Sequence, residues 1–186
     1  MTRILVVYAT TEGHTAQIAR RLSDRLSVRN AIVDVVNARA THLGPSGYDG
    51  VIVAASVHTG TYQSEVRHWV RRYAALLNDM PTAFVSVCLG VLRKEPKVQR
   101  DVAATVEQFV SQTGWQPTLT RSVAGAVLYT RYGWVKKRLM RYIVSKVNGP
   151  TDMTRDHVFT DWADLDRLAD TFGAEVARRL PVLAAG

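Results

Sequence analysis

Residues 4–15 read ILVVYATTEGHT, an apolar run that stops at Ala9 and passes into Thr10-Thr11-Glu12-Gly13-His14-Thr15. From about Ala16 the apolar positions Ala16, Ile18, Ala19, Leu22 and Leu26 recur at helical spacing. A strand thus runs through a threonine-rich turn into a helix. Backbone N–H groups at a helix N-terminus, with threonine hydroxyls beside them, form a neutral cradle for a phosphate, and the helix dipole favours the negative charge. Gly13 permits close backbone approach. A second reading stays open here: Thr15 caps the helix and nothing more. The turn lacks the GK[ST] of a Walker loop and the GxGxxG of a dinucleotide site, so the expected ligand is a mononucleotide.

Outward from this turn the pattern repeats. Strand-length apolar runs stand at 31–36 (AIVDVV), 51–56 (VIVAAS), 83–88 (AFVSVC) and 122–128 (SVAGAVL). They are nearly continuous in Val, Ile, Ala and Leu, as parallel strands covered on both faces should be. Helical spacing lies between them, through Val66, Trp69, Val70, Tyr73 and Leu77, then Val102, Val106, Phe109 and Val110, and finally Leu165, Leu168, Phe172 and Val176. Alternating strand and helix predicts an α/β fold, a doubly wound parallel sheet of five strands with right-handed crossovers. Residues 1–186 read as one domain, without repeat or linker. About 28 residues separate the fifth apolar run from the piece HVFT at 157–160, longer than the usual connection. This insertion, about 129–156, is expected to split the fifth strand, with HVFT rejoining the sheet.

The formal net charge is +8, from 24 Lys and Arg against 16 Asp and Glu. Residues 131–155 hold seven basic residues and one acid, Asp152, and so account for +6 of it. The charge describes one patch, and no groove-entering motif accompanies it, so nucleic acid is not the expected partner. One cysteine, Cys88, excludes an intrachain disulfide and is expected in a buried strand. The apolar run after Met1 is too short for a signal peptide, and none reaches the length of a membrane span. The expectation is a cytoplasmic protein, at most attached to the inner face of the cell membrane. No zinc, Ser-His-Asp or paired-carboxylate constellation can be assembled from spacing, so no metal is expected and catalytic residues stay unassigned.

The strand-TTEGHT-helix segment resembles the flavodoxin phosphate loop, which holds the FMN phosphate without lysine or metal. The resemblance sharpens in AASVHTGTY at 54–62, MPTAFVSVCL at 80–89, AGAVLYTRYGW at 124–134, TDMTRDHVFTDW at 151–162 and the Arg93, Lys94, Pro96 stretch. Over nearly the whole chain these residues are similar to the menaquinone-dependent protoporphyrinogen dehydrogenases, flavodoxin-like enzymes of bacterial haem synthesis. The resemblance implies strand order 2-1-3-4-5, with FMN at the carboxyl ends of strands one, three and four. Carried onto this chain, Thr10, Thr11, Glu12, Gly13, His14 and Thr15 surround the phosphate. Ser56, Val57, His58, Thr59, Gly60 and Tyr62 line one edge of the flavin ring, with Tyr62 or His58 covering a face. Val87, Cys88, Leu89 and Gly90 flank the other edge.

The implied reaction takes hydride from protoporphyrinogen IX to the flavin and passes the electrons to menaquinone or another quinone, so the hard chemistry belongs to the cofactor. A flavodoxin-type electron carrier and an NAD(P)H:quinone reductase are the alternatives. In the insertion, WVKKRLMRYIVSKV at 134–147 sets Lys137, Arg138 and Arg141 opposite Val135, Leu139, Tyr142 and Ile143, as a helix lying on an anionic membrane surface would. Lys136 falls nearer the apolar side and can snorkel. The same apolar side could instead pack on the domain or on a second copy in a homo-oligomer. The cations Arg93, Lys94, Arg131 and Lys136 also suit the substrate's two propionates.

Overall fold

The computed structural model describes residues 1–131, 145, 152 and 154–180. Five strands run parallel: β1 (Arg3–Ala9), β2 (Ile32–Asn37), β3 (Gly50–His58), β5 (Thr82–Val87) and β6 (Leu119–Val123). Their spatial order is β2-β1-β3-β5-β6, and a short β4 (Thr61–Tyr62) pairs antiparallel with the end of β3. Counting the parallel strands alone gives 2-1-3-4-5, with the switch in direction between β1 and β3. The register brings Tyr8 and Ala9 opposite Ala54 and Ala55, and Ser56 opposite Val87. The carboxyl ends of β1, β3 and β5 therefore open on one side.

Alternate residues of each strand face opposite layers. Ile4 and Val6 of β1 join Ile18, Leu22 and Leu26 of α1 (His14–Ser27) and Leu165, Phe172 and Val176 of α4 (Trp162–Arg179). Leu5, Val7 and Ala9 join Val66, Trp69 and Val70 of α2 (Ser64–Asn78) and Phe109 of α3 (Pro96–Thr113). Pro96 opens α3, where a missing N–H costs nothing, and Gly114, at φ 71°, closes it. Asp161 caps α4 by accepting from the Asp164 N–H at 3.0 Å. Outside the core, α1 is laced to α4 by Arg21–Asp166 at 2.5 Å and Arg25–Asp170 at 2.7 Å, and Arg29, just past the end of α1, adds Arg29–Asp170 at 2.8 Å.

Four expectations are corrected. The fifth parallel strand is 119–123, earlier than the apolar run 122–128; its ladder with β5 ends at Val87↔Val123. It is an edge strand with Thr120 and Arg121 exposed, so its polar residues hid it from a search for apolar runs. HVFT does not rejoin the sheet: His157–Val158 (β8) pairs antiparallel with Ala126–Val127 (β7) as a separate ladder. Thr130 adds to that clasp, donating its N–H and its hydroxyl to Asp156 Oδ1, both at 2.9 Å. Finally, Cys88 lies just beyond β5 and is only partly buried, and α1 begins at His14 rather than near Ala16.

Candidate functional site

The turn after β1 is organised from within. Gly13 sits at φ 97°, a left-handed conformation that places it as the N-cap of α1, and no side chain caps the helix. The Thr10 hydroxyl accepts the Gly13 N–H at 2.8 Å, which closes the turn. Thr11 is exposed, Glu12 is partly exposed, and Thr15 is buried inside the first turn of α1. A left-handed glycine, an uncapped helix N-terminus and hydroxyls at the switch point make a neutral cradle for an anion. Thr15 lies within the helix, so the cap reading does not hold.

His14 departs from expectation. Its ring is buried, with Nε2 2.7 Å from Thr160 Oγ1, Nδ1 3.2 Å from Gln17 Oε1 and an edge contact to Trp162. Burial pushes its pKa below the ordinary value, partly offset by Gln17. The side chain thus ties the cradle to the chain's return from the insertion, and only its backbone faces the turn.

A second wall comes from β3 and β4. His58 and Thr61 pair across the two-residue loop Thr59-Gly60, and both loop residues have positive φ, 48° and 78°. This is the pattern of a tight hairpin whose twist matches its strands, and Gly60 carries it without a Cβ penalty. Ser56 Oγ stands 3.2 Å from His58 Nε2. Tyr62 is corrected: its ring is buried against Phe84 and Phe109, its hydroxyl donates to Ser86 Oγ at 2.7 Å, and burial raises its pKa to about 12. It belongs to the core and covers no ring face; His58, half-buried at the hairpin, is the residue of the pair left at the rim.

The third wall follows β5. Val87 is buried, and Cys88 is the N-cap of a one-turn 3₁₀ helix, Leu89–Leu92, where Sγ accepts the Gly90 N–H at 3.3 Å. Burial pushes the Cys88 thiol pKa up, against the backbone donors of Gly90 and Val91, so it is held as the thiol. Beyond it Arg93 is engaged by Glu95 at 2.8 Å, while Lys94 is exposed. Arg131 closes the 3₁₀ turn Tyr129–Arg131; its side chain and Lys136, Lys137, Arg138 and Arg141 lie outside the described residues.

One residue of the site was missing from the expected set. Gln63, between β4 and α2, donates from Nε2 to Ser56 Oγ at 2.7 Å and reaches Thr11 Oγ1 at 3.4 Å. It joins the cradle to the second wall. It directly follows Tyr62, and consecutive positions of an extended chain face opposite ways, so the inward turn of one presents the other to the site.

The sheet order and the cradle at its switch point define a flavodoxin-type domain, and the Flavodoxin domain family matches residues 5–154. The protoporphyrinogen IX dehydrogenase [quinone] of Leishmania major is 34% identical over 176 residues, 92% of this chain and 75% of that protein. That of Escherichia coli K12 is 32% identical over 168 residues, 90% of this chain and 92% of the relative. The chain belongs to this flavodoxin-domain family of quinone-dependent protoporphyrinogen IX dehydrogenases.

Solved structures agree on the fold. A short-chain flavodoxin associated with a non-canonical PDU bacterial microcompartment superposes with a TM-score of 0.60 at 13% identity, covering 95% of this chain and 99% of that one. A Fusobacterium nucleatum flavodoxin mutant bound to flavin mononucleotide gives 0.51 at 10% identity, covering 96% of each chain.

Proposed function

We propose that this protein binds FMN at the cradle and oxidises protoporphyrinogen IX to protoporphyrin IX, with a quinone, menaquinone in our reading, as electron acceptor in haem synthesis. The similarity to the two named dehydrogenases, over 90% or more of this chain, carries the reading. The residues fit the cofactor: the uncapped N-terminus of α1 suits a phosphate, and the acceptor Oε1 of Gln63 is buried beside the cradle with no protein partner. Bound FMN would supply the two-electron acceptor that no side chain can.

The chain's own part is binding and orientation. Thr10 holds the turn ready through Gly13, Thr11 and Thr15 offer hydroxyls, and the first N–H groups of α1 point at the anion. Ser56 to Gly60 and Val87 to Gly90 form the two walls between which the flavin ring lies, with His58 at the rim. Residues 1–186 act as one domain. The basic residues Arg131, Lys136, Lys137, Arg138 and Arg141 of the segment 129–156, and Arg93 and Lys94 beyond the third wall, serve the substrate's propionates or an anionic membrane. Among the described residues no helix is long and apolar enough to cross a membrane, so the reading is peripheral attachment at the inner face, where a lipid-soluble quinone is within reach.

The test is anaerobic. The FMN-loaded protein is mixed with protoporphyrinogen IX, the oxidised-flavin absorbance is followed, and a menaquinone analogue is then added. The expected result is prompt bleaching, then quinone-dependent recovery with porphyrin formation. Bleaching by NADPH but not by the porphyrinogen overturns the reading in favour of a quinone reductase; reduction only by a chemical reductant favours a carrier. Thr11→Ala with Thr15→Ala is expected to abolish tight FMN binding, and unchanged affinity would remove the phosphate assignment.

A further inference from the structure

Gln63 is the residue immediately before α2, a position from which a side chain commonly caps its own helix, yet it makes no capping bond. Its carboxamide instead turns to the mouth of the site, where Nε2 meets Ser56 Oγ at 2.7 Å and Thr11 Oγ1 at 3.4 Å. Oε1 is buried without a hydrogen-bond partner. A buried acceptor left in that state costs free energy, and native proteins rarely keep one without a use for it.

The position narrows the use. Thr11 belongs to the turn at the helix N-terminus and Ser56 to the wall at the end of β3, so the amide spans the gap between the anion's place and the ring's place. Rotating the carboxamide by 180° would exchange the two atoms and leave a donor orphaned instead of an acceptor. A hydroxyl satisfies either orientation, because it both donates and accepts.

Resting on the FMN reading above, we infer that Gln63 is a cofactor-positioning residue whose free amide end hydrogen-bonds a hydroxyl of the ribityl chain, fixing the linker between phosphate and ring.

The experiment measures binding of three flavins to the apoprotein by fluorescence quenching: FMN, riboflavin and lumiflavin, which lacks the ribityl chain. Gln63→Leu is expected to weaken FMN and riboflavin by about three- to tenfold each, the range for one neutral hydrogen bond, and to leave lumiflavin unchanged. Gln63→Met serves as a second variant, and both are checked for an unaltered apoprotein melting curve. Equal loss for all three flavins would overturn the assignment by placing the contact on the ring. No loss for any of them, while the unsubstituted protein binds FMN, would make Gln63 purely structural. If the unsubstituted protein binds no flavin, the FMN reading itself falls and the assignment with it.

Discussion

His14 Nε2 and Thr160 Oγ1 lie 2.7 Å apart although 146 positions separate them in the chain. The Thr160 hydroxyl spends its proton on the Ala124 carbonyl at 2.7 Å, so the imidazole must donate at Nε2. That relay ties the helix end of the cradle to β6's exit and to the segment returning from the insertion. With Nε2 protonated the neutral ring leaves Nδ1 an acceptor facing Gln17 Oε1 at 3.2 Å, and a 180° turn of the Gln17 carboxamide would present its NH₂ there instead.

Burial lowers the His14 pKa below 6.5, so between that value and the folded one the unfolded chain binds the extra proton. The stabilisation is complete above 6.5 and falls as pH drops through the window. Urea unfolding of the apoprotein at about pH 7.5 and about pH 5.5 should show a lower midpoint in acid, and His14→Gln should shrink the difference. An unchanged difference in the variant would assign the acid sensitivity elsewhere.

Asp170 accepts from Arg25 and Arg29, which together hold its carboxyl at about 2, below the ordinary 3.8. Its contribution is complete above 3.8 and is lost as pH falls from there through about 2. Both arginines are well exposed, so salt should screen the effect. Asp170→Asn is expected to flatten the acid limb of the stability curve at low ionic strength and to change little in high salt, as read by thermal melts across that range.

Tyr62 is a core residue despite lying in a site motif. Tyr62→Phe removes the donor to Ser86, which is 1% exposed, and should cost about 1–2 kcal/mol in urea unfolding. Tyr62→Leu should destabilise further yet leave the visible spectrum of bound flavin unchanged. A shifted flavin band in that variant would return the ring to the site.

Trp115 is fully buried, packs edge-on against Phe84 and donates from Nε1 to Thr82 Oγ1 at 3.1 Å. Trp115→Ala should cost about 3–5 kcal/mol through the cavity it leaves. Thr82 keeps the Thr118 N–H as a donor, so no buried charge or strained turn adds to the loss. The site lies at the opposite end of β5, so flavin affinity of the folded fraction should not change.

Most of the architecture was legible because burial on both faces writes itself into sequence. Four parallel strands appear as nearly continuous apolar runs, and the helices show their inward faces at 3.6-residue spacing. The edge strand β6 did not, since 119–123 has polar positions facing solvent, while the more apolar 124–128 is buried outside the main sheet. The cradle was legible for a different reason: a strand, a threonine-rich turn with Gly13 and a helix have a chemistry set by residues next to each other.

The parallel α/β sheet, the threonine-rich turn and the concentration of positive charge in 131–155 could be read before any fold was known, because each is local order or composition. Where single side chains point was settled by long-range packing. Tyr62 and Gln63 are neighbours, yet one ring sinks among Phe84 and Phe109 while the other amide reaches Ser56 and Thr11; His14, placed by sequence beside the anion, is drawn inward by Thr160 and Trp162. Apart from Ser56, seven positions from Gln63, those partners lie more than twenty and as many as 148 positions away, which no local pattern encodes.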